Sequence, residues 1–195
     1  MGVTVVGLPD VRSVLVNRNP RELAEHEKWA AVAVLLREGV SGPELFFIRR
    51  AEHPQDPWSG HMAFPGGRQD AGDATLLETA VRETREEVGL DLSNAADHIG
   101  QLDDLQAIAR GKPQETVIRP FVFEVHRESP LQVDDREVAE ALWTPLLPLY
   151  RGEVDTVRPY QWHGTNIDFP AYDVGGRVVW GLTYQMLRSF FRILG

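Results

Sequence analysis

Short apolar runs separated by turn-forming residues dominate the first part of the chain. Residues 29–36 form an apolar run typical of a buried strand, and residues 44–50 repeat the pattern after a turn at 38–43. We interpret these two runs as a β-hairpin, preceded over residues 1–27 by an opening segment with a short helix. Residues 51–60 combine proline, glycine and charge, which predicts a loop.

A helical period follows this loop. Between Asp73 or Thr75 and Val88, apolar positions recur every three to four residues, which predicts a helix. Asp73 is a candidate N-cap, and Gly89 can adopt the left-handed conformation that ends a helix. The segment therefore predicts a loop, a helix and a second loop.

The same helix carries a costly set of acids. Glu83, Glu86 and Glu87 lie at spacings that place them on one face, where each like-charge pair is unfavourable by roughly 0.2–0.5 kcal/mol. They also lie in the carboxyl half of the helix, where the helix dipole disfavours negative charge. We expect a cation on this face, and a metal ion is the favoured one.

Alternating patterns return in the second half of the chain. Strands are predicted at residues 99–108, 117–125 and 141–144, with a helical turn around Glu137. Residues 154–179 are rich in aromatic and β-branched residues, and Gly175-Gly176 is a predicted hairpin tip. The apolar positions of residues 182–194 predict a closing helix that packs on the core. One mixed α/β domain over residues 1–195 is the economical interpretation.

Composition excludes several classes of function. A net charge of −9 argues against a protein that binds duplex nucleic acid, which normally presents a basic surface to the phosphates. It leaves room for a small anionic substrate held by a few arginines. The absence of cysteine excludes disulfides, thiolate metal ligands and cysteine nucleophiles. The amino terminus lacks the pattern of a secretory signal, and no apolar run is long enough to span a bilayer. We therefore expect a cytoplasmic protein without a membrane segment.

Residues 82–90, RETREEVGL, resemble the core of the Nudix box, and they follow FPGG at residues 64–67. The distance from Gly67 to Arg82 is one residue longer than in the family pattern, Asp73 stands nearest to its early glutamate, and Thr84 replaces an aliphatic residue. The extra residue and the aspartate resemble a subgroup similar to coenzyme A pyrophosphatases. VWGLT at residues 179–183 resembles a further feature of that subgroup, whereas His61 replaces its usual glutamine.

The resemblance implies a Nudix fold, an α/β/α sandwich with a mixed β-sheet and a loop-helix-loop catalytic motif. It also implies metal-dependent hydrolysis of a pyrophosphate bond in a nucleoside diphosphate linked to another group, with coenzyme A or its thioesters favoured. The alternatives are ADP-ribose, a dinucleotide or nucleoside triphosphates. A non-catalytic nucleotide-sensing domain is less favoured, because such domains normally have an eroded acidic cluster and this cluster is intact. The partner is then a small-molecule nucleotide, and a homodimer stays open.

Roles for individual residues also follow from the resemblance. The implied ligands of Mg²⁺ or Mn²⁺ are the carboxylates of Glu83, Glu86 and Glu87 and a backbone carbonyl near Gly67. Arg82 is expected to pair with Glu86 and to hold the acidic cluster in place.

The general base is the least determined of these roles. Glu86 is the first candidate, with Glu115 and Glu137 as distal alternatives. An ordinary structural hydrogen bond is an equally good explanation for Glu137, and solvent exposure is the better one for Glu115 in the predicted loop at residues 111–115.

Five further side chains are candidate substrate contacts. The guanidinium groups of Arg49, Arg50 and Arg68 suit bidentate bonds to phosphate oxygens, although one of them can instead balance nearby acids. Trp58 and His61 lie in the loop before FPGG, where they can stack on a base. A tryptophan packed over the sheet is the commoner arrangement.

Overall fold

A mixed β-sheet with helices on both faces forms the body of the protein. The computed structural model describes residues 7–24, 26–56, 58–109, 112–127, 129–162 and 165–195. The elements in the amino-terminal part are α1 (Leu8–Val16), β1 (Lys28–Gly39), β2 (Gly42–Arg50), β3 (Met62–Ala63), β4 (Gly66–Arg68), α2 (Leu76–Val88) and α3 (Leu92–Ala95). Those in the carboxyl-terminal part are β5 (Ala96–Gln101), β6 (Leu105–Ala109), β7 (Lys112–Val125), β8 (Val138–Pro145), α4 (Leu146–Tyr150), β9 (Asp155–Trp162), β10 (Thr165–Val174), β11 (Arg177–Val179) and α5 (Gly181–Leu194).

The large sheet is built around β1. Its order is β3-β2-β1-β7-β5, with β4 also paired to β1, β6 to β7 and β8 to β2. Strands β1 and β7 run parallel, whereas the other pairs are antiparallel, so the predicted mixed sheet is confirmed. The predicted hairpin is confirmed in the antiparallel pairing of β1 with β2. A second sheet has the order β11-β10-β9.

Strand β1 sends alternate side chains to two separate cores, as the period of two in a strand requires. Val34 and Leu36 pack with residues of α1 and α5 on one face, whereas Ala31, Ala33 and Leu35 pack with α2 on the other. The predicted α/β/α sandwich is therefore confirmed. The small alanines allow α2 to approach the sheet closely, which brings its acidic side chains to the neighbouring strand β4.

Several predicted boundaries are wrong. Thr75, not Asp73, is the N-cap of α2. The segment at 99–108 holds parts of two strands, β5 and β6, because it is interrupted at residues 102–104. Glu115 lies in strand β7 and not in a loop, while Gly111 is outside the described residues. The helical turn predicted around Glu137 is confirmed, because the N–H groups of Glu137 and Val138 both donate to the Asp134 carbonyl directly before β8.

Other predictions of local structure are confirmed. The described part of residues 51–60 is a loop, and Gly175-Gly176 forms the turn between β10 and β11. The closing helix α5 buries Met186, Phe190 and Leu194. No helix in the described ranges is both long and apolar enough to cross a bilayer.

Candidate active site

Helix α2 is fixed at both ends. The Thr75 hydroxyl accepts a hydrogen bond from the Glu78 N–H (3.2 Å), which satisfies one of the free donors of the first turn. At the other end, Gly89 has φ +73° and its N–H donates to the Arg85 carbonyl (2.9 Å), as the predicted cap requires. The helix therefore presents its acidic residues from a defined position over the sheet.

Two glycines let the acidic side chains approach strand β4. Gly66 has φ +150°, and a Cβ there would lie 2.2 Å from the Ala31 carbonyl oxygen. Its N–H instead donates to Glu87 Oε2 (2.9 Å). A Cβ on Gly67 would lie 2.5 Å from the Glu83 carboxylate. The two glycines of FPGG therefore leave room for the carboxylates of Glu83 and Glu87, which side chains at these positions would remove.

Three carboxylates converge beside this strand. One oxygen each from Glu83, Glu87 and Glu137 lies within 4.8 Å of the others. The loop that leads to Glu137 is tied to the end of α2, because the N–H groups of Gln132 and Asp134 donate to the carbonyls of Val88 (2.9 Å) and Glu87 (3.0 Å). The last carbonyls of the helix thereby hold the turn that carries the third carboxylate.

The protein alone disfavours the charged forms of Glu83 and Glu87 in this group. Burial raises the pKa of Glu87 to about 8, and the Gly66 N–H and Arg50 only partly oppose this effect. Burial also raises the pKa of Glu83, against the lowering effect of Arg82. A divalent cation would stabilise the charged forms. Because the donors are hard carboxylate oxygens, their chemistry fits Mg²⁺ or Mn²⁺.

Arg82 connects the acids of the loop and the helix. Its Nε and Nη2 each donate to the Asp73 carboxylate at 2.9 Å, and Nη1 lies 2.8 Å from Glu86 Oε2 and 3.0 Å from Glu83 Oε1. The predicted pair with Glu86 is therefore present. Nη2 also donates to the Arg68 carbonyl (3.1 Å). With these partners, the Arg82 guanidinium joins the loop, the helix and strand β4.

Glu86 differs from the other two helix glutamates. Its side chain is 53% exposed, and Glu137 takes the third place in the group of converging carboxylates. Glu86 nevertheless lines the cleft over the site. The group of converging carboxylates therefore differs from the set that the resemblance implies, because the helical period turns Glu83 and Glu87 to the strand and Glu86 outward. The role of Glu86 as a metal ligand stays a prediction.

The cleft has a volume of about 630 Å³ and its lining includes four of the predicted substrate contacts, Arg50, Trp58, His61 and Arg68. Arg50 donates to Asp56 (2.8 Å), so part of its charge is balanced within the loop. Trp58 Nε1 donates to the Ile108 carbonyl (3.3 Å), which places the ring at the rim of the cleft rather than over the sheet core.

Arg49 and Glu115 lie elsewhere. Arg49 lines a second, neighbouring cleft and pairs with Glu140 (3.5 Å), because successive residues of a strand point to opposite sides. Glu115 pairs with Lys28 (2.5 Å) and is not among the residues of the described chain that line the first cleft. Glu137, by contrast, lines it.

The sequence interpretation gave no role to the wall formed by Trp180. Its ring centroid lies 4.9 Å from that of His61 and 5.8 Å from that of Tyr160, while the guanidinium carbon of Arg158 lies 5.7 Å from it. The VWGLT motif identified the tryptophan but not its neighbours. Arg158 and Tyr160 carry no motif, and only the folding of β9 next to this wall places them there.

Comparisons with known proteins agree with the geometry. The family model described as NUDIX domain matches residues 26–163. An uncharacterized protein of Schizosaccharomyces pombe, C14C4.10c, is 37% identical over 119 residues, which are 60% of this chain and 36% of that protein. The chain thus spans about a third of that relative's length. The human mitochondrial coenzyme A diphosphatase NUDT8 is 31% identical over 168 residues, which are 85% of this chain and 69% of that protein.

A solved structure shows the same fold. The crystal structure of a MutT/nudix family protein from Enterococcus faecalis superposes with a TM-score of 0.55 at 17% identity, over 89% of this chain and 65% of that one. At this identity the likeness concerns the fold alone.

Proposed function

Because the chain belongs to the Nudix family, as the match over residues 26–163 shows, we propose that this pyrophosphohydrolase cleaves the pyrophosphate bond of coenzyme A or its thioesters. The similarity to NUDT8, which extends over 85% of this chain, carries the substrate assignment. The three converging carboxylates beside an arginine-containing cleft support the reaction class.

The residues that would hold the metal are Glu83, Glu87 and Glu137, whose oxygens already lie within 4.8 Å of one another, together with the predicted backbone carbonyl near Gly67. A bound Mg²⁺ or Mn²⁺ would neutralise phosphate oxygens and lower the pKa of water at the site. Glu87 is buried and fixed by the Gly66 N–H, so it supplies the rigid part of this ligand set.

We assign the general base to Glu86. It lines the cleft, and Arg82 holds its carboxylate in place at 2.8 Å. In the proposed step, the oxygen of a water molecule forms a bond to one phosphorus of the pyrophosphate while Glu86 accepts a proton from that water. The bond from this phosphorus to the bridging oxygen breaks. The leaving phosphate departs as an anion. Glu137 is the alternative base that the geometry allows.

The substrate phosphates are assigned to Arg68 and Arg50 on the cleft wall. Within the described ranges the Arg68 side chain forms no ion pair, and its backbone carbonyl accepts a hydrogen bond from Arg82. Trp58 and His61 line the same cleft and suit contacts with the remainder of the substrate. These contacts affect binding more than the chemical step.

A hydrolysis screen tests the proposal. The enzyme is incubated with Mg²⁺ and coenzyme A, an acyl-coenzyme A, ADP-ribose, NADH or a nucleoside triphosphate, and products are identified by mass. We expect the highest kcat/KM with coenzyme A or its thioester. Glu83→Gln serves as the inactive control for contaminating hydrolases. Preferred turnover of ADP-ribose, NADH or a triphosphate would reject the substrate assignment, and tight binding without turnover would favour a sensor.

A further inference from the structure

A second cleft adjoins the proposed active site. It has a volume of about 500 Å³ and lies between the end of the loop at residues 51–61 and the three-stranded sheet. His61, Met62 and Trp180 line both clefts. A ligand that occupies the first cleft therefore has a continuous wall leading into the second.

The second cleft contains three arginines, and within the described residues only Arg158 among them has no acidic partner. Arg49 and Arg177 both pair with Glu140. Arg158 also lines the cleft, and no carboxylate in the described part of the chain forms an ion pair with it. Its guanidinium carbon lies 5.7 Å from the centroid of the Trp180 ring. The charge of Arg158 is thus available to an anion that enters the cleft.

His61 lines both clefts, whereas Arg50 lines the first and Arg158 the second. Burial lowers the pKa of His61, and Arg158 and Arg50 also act to lower it, while Asp56 opposes them. Arg158 lies 5.7 Å from the centroid of the Trp180 ring, which is itself 4.9 Å from the His61 ring. A single ligand with two separated anionic groups can contact both cations across this wall.

We propose that the second cleft binds a phosphate monoester on the nucleoside part of the substrate, with Arg158 as its principal cationic contact. This inference rests on the proposed function, because a coenzyme A substrate carries such a phosphate at the 3′ position of its ribose. A phosphate monoester has a charge of about −1.5 to −2 near neutral pH and accepts bidentate bonds from a guanidinium group. Trp180 holds Arg158 at the junction of the two clefts.

A binding experiment without turnover tests this site. Adenosine 3′,5′-bisphosphate and AMP are titrated into the full chain with Mg²⁺ by calorimetry, and inorganic phosphate is titrated as a control for free anions. We expect the bisphosphate to bind about tenfold more tightly than AMP, the range of one charge-assisted contact. Arg158→Ala should remove this difference by weakening only the bisphosphate. Arg158→Lys should retain part of the difference, because the positive charge remains but the planar guanidinium that donates two parallel hydrogen bonds is lost.

Arg127 provides the matched control. It is exposed after β7 and lines neither cleft, so Arg127→Ala should leave both affinities unchanged. Equal affinity of the unaltered protein for the two nucleotides would overturn the proposal, as would an equal loss of both in Arg158→Ala. If coenzyme A is hydrolysed without this discrimination, the second site alone fails. If discrimination is found without hydrolysis, the proposed function alone fails.

Discussion

Arg82 binds Asp73 through two hydrogen bonds of 2.9 Å, which Nε and Nη2 donate to the two carboxylate oxygens. Asp73 also accepts from the Thr79 hydroxyl (3.0 Å) and the Asp70 N–H (2.9 Å). Arg82 thereby holds the pKa of Asp73 well below its usual range. The aspartate that replaces the early acid of the family pattern consequently fixes the loop to the middle of α2.

Replacing Asp73 by Asn should lower the free energy of unfolding by about 1–3 kcal/mol, because a nearly buried, charged acceptor of Arg82 is lost. Urea denaturation at pH 7 measures this change. Since the folded-state pKa is depressed, the stabilisation by Asp73 is present above the unfolded pKa near 4 and disappears as the pH falls below it. Asp70→Asn, at an exposed position, is the control. Equal stability of Asp73→Asn and the parent at pH 7 would contradict this role.

Glu87 should make the metal-free protein less stable at alkaline pH. Its folded pKa is raised to about 8, so its protonation stabilises the fold below the unfolded value near 4.5, and this stabilisation is lost as the pH rises towards 8. The slope is at most about 1.4 kcal/mol per pH unit. Thermal melts in EDTA from pH 5 to 8.5 should show a smaller decline for Glu87→Gln. Parallel profiles for the two proteins would show that Glu87 does not titrate in this window.

Metal affinity should separate the roles of Glu137 and Glu86. Because Glu137 belongs to the group of converging carboxylates, Glu137→Gln should weaken Mn²⁺ binding by about tenfold or more, the usual scale for a site residue. Glu86→Gln should keep most of the Mn²⁺ affinity and lose kcat. Mn²⁺ titration followed by electron paramagnetic resonance, together with steady-state kinetics, provides both readouts. If Glu86→Gln binds Mn²⁺ as weakly as Glu83→Gln, Glu86 is a ligand, as the family pattern implies.

The two glycines of FPGG should respond differently to a methyl group. In Gly67→Ala the new Cβ meets the carboxylate end of Glu83, at 2.5 Å, so the flexible side chain moves and Mn²⁺ affinity falls with little loss of stability. In Gly66→Ala the Cβ meets the Ala31 backbone at 2.2 Å, so the fold itself is destabilised. Gly72→Ala meets nothing within 4 Å and is the control. Thermal melts and Mn²⁺ titrations of all three variants provide the test. A loss of stability in Gly67→Ala as large as that in Gly66→Ala would contradict this explanation.

The loop at residues 51–61 should govern substrate choice. Trp58 and His61 line the cleft without belonging to the acidic group, so Trp58→Ala and His61→Gln should change the ranking of substrates chiefly through KM. His126→Gln, at an exposed position, should leave the ranking unchanged. A loss of kcat with the original ranking would instead place the loop in the catalytic machinery.

The sequence was sufficient for the helix that carries the site, because its period, its terminal glycine and its acids are all local features. The sandwich was predicted through the resemblance to the Nudix family, and the continuous apolar run of β1 agrees with burial on both faces of the sheet. The role of Asp73 was predicted wrongly. An aspartate before a helix can cap that helix or bind a distant arginine, and local spacing does not distinguish these two roles.

The rest of the site depends on contacts between distant parts of the chain. Glu137 joins Glu83 and Glu87 only because its loop binds the last carbonyls of α2. Arg49 and Arg50 looked equivalent in the sequence, yet the strand directs them to different clefts. Arg158 had no motif at all. Such positions follow from the pairing of strands, which a single sequence does not specify.

The pairing of the central strands also determines when the acidic cluster can form. Strand β1 pairs with β7, and β2 pairs with β8. Each of these two early strands is therefore completed only when a partner far along the chain has reached it. Such non-local pairing slows folding. Glu137 joins Glu83 and Glu87 only when its loop has packed against the end of α2. Repulsion between Glu137 and the two helix glutamates therefore arises late in folding, so Glu137→Gln should slow unfolding more than it speeds folding.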